Sequence, residues 1–147
     1  MKNIKCMEAD SDNSNMNGAN CDAGSIAGIK SLASTVGQIA FEVHEYFGSG
    51  LLEKVYENAL EHRLAKAGFA VERQKPVAIY DIDGFNVGEY YVDMLVDRSL
   101  IVELKVAKSL APEHFAQTLN YMKIMRKPVA LLVNFGSFKF ERRTLVL

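Results

Sequence analysis

Two neighbouring apolar runs, each broken by a carboxylate, constrain this chain more than any other feature. They are Tyr91-Val92-Asp93-Met94-Leu95-Val96 and Ile101-Val102-Glu103-Leu104-Lys105. Asp97-Arg98-Ser99 between them is a polar turn signal, so the runs should pair as a hairpin. Side chains alternate across a strand, which puts Glu103 and Lys105 on one face. If the hairpin centres near Arg98, Asp93 falls opposite Glu103, with Cβ atoms about 5 Å apart. Two carboxylates and an amine then converge on one sheet face. An ionised carboxylate without a partner is costly in mid-sheet. One reading is structural, an ion pair of Lys105 with Glu103 or Asp93. The other is a site able to hold a divalent cation and manage a water molecule. Buried ion pairs add little net stability, so three charges in one place favour the second.

Around this hairpin the periodicity changes once. Val36, Ile39, Ala40, Val43 and Phe47 recur at helical spacing, so a helix is expected from Ser31 or Ser34 to Phe47. Gly48-Ser49-Gly50 interrupts, and a second helix is expected over Leu51–Ala67, with Gly68 at its C-terminal end. Period two then takes over. Strands are expected over Val71–Tyr80, Asn86–Val96 and Leu100–Val106, with Pro76 marking an edge position or a bulge. Pro112–Met125 reads as a helix with proline in its first turn. Val129–Phe135 is almost wholly apolar, as in a sheet interior, and Phe138–Val146 reads as an edge strand. The resulting order is α-α-β-β-β-α-β-β, an α/β fold with a mixed central sheet flanked by helices.

The chain has 147 residues, enough for one domain. Residues 1–24 are rich in Asn, Asp, Ser and Gly and are expected to be a disordered polar tail; residues 28–147 are expected to form the domain. The two cysteines, Cys6 and Cys21, both lie in that tail, too few for a disulfide framework or a zinc site. No apolar run approaches the ~20 residues of a membrane span, and no signal-peptide core is present. A cytoplasmic protein is expected. Net charge is −1, which does not by itself indicate a nucleic-acid partner. Residues 123–147, however, gather Lys123, Arg126, Lys127, Lys139, Arg142 and Arg143 against Glu141 alone. This is either solvated surface or a local surface for phosphates.

Other candidates are weaker taken singly. Gln117 and Tyr121 lie four apart on one helix face and could orient a lysine or a phosphate, although such pairs are common on ordinary helices. Glu53, Glu57 and Glu61 form an acidic stripe that can be a solvated face, the preferred reading for Glu61. Glu53 also sits in the first turn of its helix, where a carboxylate is favoured by the dipole. Tyr56 fits a core position better than a ligand position. His44 and His62 read as structural helical residues, and His114 shows no partner.

Together, in order, Asp93, Glu103-Leu104-Lys105, Gln117 and Tyr121 resemble the PD-(D/E)XK nuclease superfamily, whose αβββαβ, restriction-endonuclease-like core matches the inferred element order. Within it the chain is similar to the small prokaryotic GxxExxY family. That motif reads here as Gly50-Leu51-Leu52-Glu53-Lys54-Val55-Tyr56, preceded by Val43-His44 and Gly48. The resemblance covers about residues 33–147. One departure is Val92, which stands where the superfamily's namesake proline would precede Asp93.

The resemblance implies metal-dependent hydrolysis of phosphodiesters, with DNA the expected substrate. Asp93 and Glu103 would hold Mg²⁺ or Mn²⁺, with the Leu104 backbone carbonyl completing the site and Glu53 reaching it directly or through water. Lys105 would position or deprotonate water, or stabilise developing charge; Gln117 and Tyr121 would orient Lys105 or a phosphate oxygen. The alternative is a non-catalytic nucleic-acid- or protein-binding module that keeps the fold. A domain this small has little surface for choosing a sequence, which leaves room for a homodimer or a partner protein.

Overall fold

The computed structural model describes residues 24–147. The tail expected over residues 1–24 therefore lies, but for Gly24, outside the described residues. Eight elements follow in chain order: α1 (Ile26–Phe47), α2 (Glu53–Lys66), β1 (Val71–Tyr80), β2 (Asn86–Val96), β3 (Leu100–Lys105), α3 (Pro112–Met125), β4 (Val129–Asn134) and β5 (Glu141–Val146). This is the expected order. Helix α1, however, starts at Ile26, earlier than Ser31 or Ser34. The Ser25 side chain caps the helix by accepting from the Gly28 N–H at 3.0 Å. Ile29 and Ala33 are buried and prolong the apolar stripe of Val36, Ala40 and Val43 by another two turns.

The five strands form one mixed sheet in the order β1-β2-β3-β4-β5. Only β3 and β4 run parallel, joined by α3; the other neighbours are antiparallel. Edge strand β1 carries Pro76, where a missing N–H is tolerated. Interior strand β4 is buried along its whole length.

Alternation along the strands divides the core in two. Met94, Val96, Val102, Leu104, Leu131 and Val133 pack with residues of α1 and α2 on one face. Leu95, Ile101, Ala130 and Leu132 pack with Tyr121 and Met122 of α3 on the other. The mixed sheet flanked by helices on both faces is the restriction-endonuclease-like arrangement.

Alternation between the two core faces fails in β2 at Asp93. Val92 joins the α3 side, yet Met94, two residues on, joins the α1–α2 side. The β1–β2 ladder pairs Arg73 with Met94 and Lys75 with Val92, leaving Gln74 and Asp93 without strand partners between them. Gln74 sits at φ +48°, a left-handed conformation uncommon for a residue with a Cβ. The strand thus turns about its own axis at Asp93. Beyond that point, Asn86–Tyr91 are exposed.

Candidate active site

The site begins where β2 and β3 part. Their ladder runs Val96–Leu100, Leu95–Ile101, Met94–Val102, and stops. Extending the register puts Asp93 opposite Glu103, but side chains take over from the backbone there. The Asp93 N–H donates to Glu103 Oε1 at 3.2 Å, and the Leu104 N–H donates to Asp93 Oδ2 at 2.8 Å. The turn that sets this register has Asp97 and Arg98 both at positive φ, and is tied down by Ala70 N–H donating to Asp97 Oδ1 at 2.9 Å. In a strand, N–H and C=O of one residue point to the same side. The Leu104 carbonyl is therefore directed, like its N–H, toward the gap between the strands.

Glu103 is 2% exposed, and its Oε2 lies 3.6 Å from Lys105 Nζ. Burial, then the neighbouring Asp93, push its carboxyl up to about 8; Lys105 and the Asp93 N–H only partly offset this. Asp93 is also raised, chiefly by burial and further by Glu57, against the pull of the Leu104 N–H, Lys105 and Gln74. The amine of Lys105 thus stands beside one buried and one half-buried acid, both raised.

Helix α2 brings Glu53 to the same place, and its loop explains how. Gly48 and Gly50 take φ +67° and +110°, which lets the chain double back between α1 and α2. Tyr56 locks the turn: its hydroxyl donates to the Gly48 carbonyl at 2.5 Å and accepts from the Leu51 N–H at 3.2 Å. Its ring is fully buried and stacks on Phe135 at 4.7 Å. Tyr56 is thus core, and the spacing from Gly50 to Tyr56 makes Glu53 the first residue of α2. Although Glu53 stays open to solvent as a residue, its carboxyl is raised, by partial burial and then by Asp93, with Lys105 and the Val106 backbone acting the other way.

On the α3 side, Gln117 Nε2 donates to the Tyr121 hydroxyl at 3.0 Å. Tyr121 is buried, and its phenol is pushed up to about 12, first by burial and then by Glu103 and Asp93. All the residues singled out from the sequence — Asp93, Glu103, Leu104, Lys105, Glu53, Gln117 and Tyr121 — therefore lie in or beside one locale. His114 has a partner after all, accepting from the Ala111 N–H at 3.1 Å as part of the α3 start.

Three features escaped sequence reasoning. The acidic stripe on α2 is not a solvated face: Glu57 is buried, and Arg73 bridges Glu57 (2.9 Å) and Glu61 (2.6 Å). Gln74 adds a bond to Glu57 Oε1 at 3.1 Å and also reaches Asp93. Its only sequence signal was its place between Arg73 and Lys75 beside Pro76. Asn134 is buried at the end of β4. Its Oδ1 accepts from Ala107 N–H and Gly136 N–H, each at 3.0 Å, and its Nδ2 donates to the Ala107 carbonyl at 3.0 Å. This clasp fixes the chain just past Lys105. An amide ending an otherwise apolar run was the signal for it.

Asp93, Glu103 and a carbonyl offer hard oxygen donors, and two underneutralised acids are electrostatically suited to a divalent cation. Among the described residues, no three His, Cys, Asp or Glu side chains form a ready metal cage. The oxygen set fits an ion that takes one or two carboxylates and fills its remaining positions with water and substrate oxygens, as Mg²⁺ does.

The fold and this acid–acid–lysine cluster define a nuclease-like α/β domain. A model of the PD-(D/E)XK nuclease superfamily matches residues 30–145, and the chain belongs to that superfamily. Among solved structures, the chain is similar to the crystal structure of SSO0001, with a TM-score of 0.52 and 17% identity. The match covers 80% of this chain and 61% of that one, and at this identity it speaks for the fold alone. No curated protein matches. No helix among the described residues is long and apolar enough to cross a membrane.

Proposed function

We propose that this protein is a metal-dependent phosphodiesterase acting on nucleic acid, with DNA as the substrate, and that it belongs to the GxxExxY branch of its superfamily. The observation that carries this reading is the convergence of two acids on one amine: the Asp93 N–H meets Glu103 Oε1 at 3.2 Å, the Leu104 N–H meets Asp93 Oδ2 at 2.8 Å, and Lys105 Nζ lies 3.6 Å from buried Glu103. A structural ion pair holds its acid ionised; here Glu103 keeps its proton near neutral pH, and a bound cation would favour its ionised form. Asp93, Glu103 and the Leu104 carbonyl would hold Mg²⁺ or Mn²⁺, with Glu53 reaching it directly or through water. When bound, the ion supplies Lewis acidity toward a phosphate oxygen and a water.

The chain's own groups do the rest. Lys105 keeps its amine beside Glu103, where it can orient the attacking water or stabilise charge that develops on the phosphate. The Gln117–Tyr121 pair offers neutral donors beside the two acids, able to orient a phosphate oxygen or the lysine. The raised Tyr121 phenol stays protonated at neutral pH and so remains a donor. The Asn134 clasp and the Tyr56 clamp hold β3 and α2 still around these groups.

The test is cleavage of single-stranded, double-stranded and branched DNA, and of RNA, by purified protein with Mg²⁺ or Mn²⁺, beside Asp93→Ala. Metal-dependent cleavage that vanishes in the variant is the expected result. Binding without cleavage in any metal would leave the non-catalytic binding module as the better reading.

A further inference from the structure

Beside the acid cluster, between the β1–β2 hairpin and α3, lies an open cleft of about 520 Å³. It is lined by Ile79, Tyr90, Gln117, Asn120, Tyr121 and Ile124. Its volume lies in the roughly 300–1,000 Å³ range of small-ligand sites. The walls are unlike a phosphate site, since none of these residues is charged. They combine aromatic and aliphatic surface with two carboxamides. Tyr90 is 55% exposed, and its ring centroid is 6.0 Å from that of Tyr121. Gln117 and Asn120 each carry donors and an acceptor, the groups that read the edge of a heterocycle.

Tyr121 and Gln117 belong both to this cleft and to the proposed phosphodiester site. A strand whose phosphate lies at Asp93 and Glu103 therefore brings a neighbouring base to the cleft mouth. We infer that the cleft takes one unpaired nucleobase of the substrate strand, stacked on Tyr90 with its edge toward Gln117 and Asn120. A base in a duplex has both faces stacked and its pairing edge occupied, so it can enter only after leaving the helix. The substrate class is then a single strand, a frayed end or a flap rather than intact duplex. This inference rests on reading the Asp93–Glu103 cluster as a phosphodiester site.

The test measures binding apart from cleavage, with Ca²⁺ in place of Mg²⁺. A labelled single-stranded oligonucleotide, the same sequence as duplex, and single strands carrying one abasic residue at successive positions are titrated with wild type, Tyr90→Ala and Asn120→Ala. Single-strand affinity should exceed duplex affinity at least tenfold. Tyr90→Ala should weaken single-strand binding by about 5- to 100-fold, the range for one base–aromatic stack, and leave duplex binding alone. One abasic position should reproduce that loss in wild type, with no change to the protein. Asn120→Ala should cost several-fold, by an amount that depends on the base. Equal affinity for single strand and duplex overturns the inference, as does indifference to both Tyr90→Ala and every abasic position. If single strands bind as expected but no metal supports cleavage, the hydrolytic reading fails and the base cleft stands. If no nucleic acid binds at all, both fail.

Discussion

Glu57 and Glu103 are both interior glutamates, 5% and 2% exposed, and their surroundings have opposite effects. Around Glu57, burial works upward, but Arg73 Nε at 2.9 Å, Gln74 at 3.1 Å and Lys54 at 3.5 Å hold the carboxyl below its ordinary value. Around Glu103, burial and Asp93 act together, and the nearest cation is 3.6 Å away, so the carboxyl rises to about 8. Burial alone therefore does not mark a functional acid. What separates the two is the balance of burial against nearby cations, which hold the Glu57 carboxyl down and leave the Glu103 carboxyl raised.

The largest effect should separate the lysine of the site from the lysine of the scaffold. Lys105→Ala is expected to lower hydrolysis by roughly 10²–10⁴-fold, the span for a positioned proton-transfer or charge-stabilising group. Nucleic-acid binding should persist, read by single-turnover cleavage beside anisotropy. Lys54→Ala, on the exposed rim of the Glu57 cluster, should leave the rate within about twofold, since such pairs contribute little. Equal losses in the two variants would erase the distinction.

Next comes stability. Arg73→Met removes the main partner of buried Glu57 and should cost about 3 kcal/mol, the low end for breaking a buried pair because Arg73 is partly open to solvent. Urea unfolding measures this. Glu103→Gln should instead be neutral or stabilising above pH 7, since it removes an acid that resists ionisation. A Glu103→Gln protein as destabilised as Arg73→Met would mean that both clusters are structural.

The two acids also give pH dependences of opposite sign. Glu103 has a folded pKa of about 8 against an ordinary 4.5, so the folded protein keeps a proton that the unfolded chain releases. Its contribution to stability therefore falls as pH rises from about 4.5 to about 8, then levels. Raised Asp93 adds in the same direction. Glu57 lies below 4.5 when folded, so its contribution is present above that value and is lost on acidification. Melting temperatures in metal-free buffer should show the alkaline decline in wild type and lose much of it in Glu103→Gln. A decline of the same size in both would assign it to other groups.

The smallest effect tests the clamp that positions Glu53. Tyr56→Phe removes a hydroxyl with two backbone partners and should cost about 1 kcal/mol while keeping the ring stack. Thermal denaturation checks it, and an unchanged midpoint would show that the glycine loop holds without it.

Much of this was legible because strands and helices announce themselves by period. The element order, the register carried past Met94–Val102, and the shared face of Glu103 and Lys105 all follow from alternation and a well-placed turn. What stayed hidden depends on contacts distant in sequence. Arg73 meets Glu57 and Glu61 across the gap between α2 and β1, so the stripe on α2 looked solvated. Gln74 owes its role to a backbone irregularity shared with Asp93, which no residue type announces. The cleft beside Tyr90 exists because the hairpin overhangs α3, and its walls come from three elements. The early start of α1 was masked because Gly28, Ser31 and Ser34 interrupt a stripe whose buried members are Ile29 and Ala33.

The central claim is that the Asp93–Glu103 cluster lacks a positive charge that a divalent cation supplies. Mg²⁺ or Mn²⁺ binding, followed by calorimetry in buffers of different ionisation enthalpy and by melting temperature between pH 6 and pH 9, tests it most directly. Wild type should release protons on binding below about pH 8, as Glu103 ionises, and bind more tightly as pH rises. At a hundredfold excess over Kd it should gain about 2.7 kcal/mol. Asp93→Ala and Glu103→Gln should lose most of both responses, and Arg73→Met should retain them. A wild-type protein that neither gains stability nor releases protons with either ion, at any pH in that range, would contradict the claim.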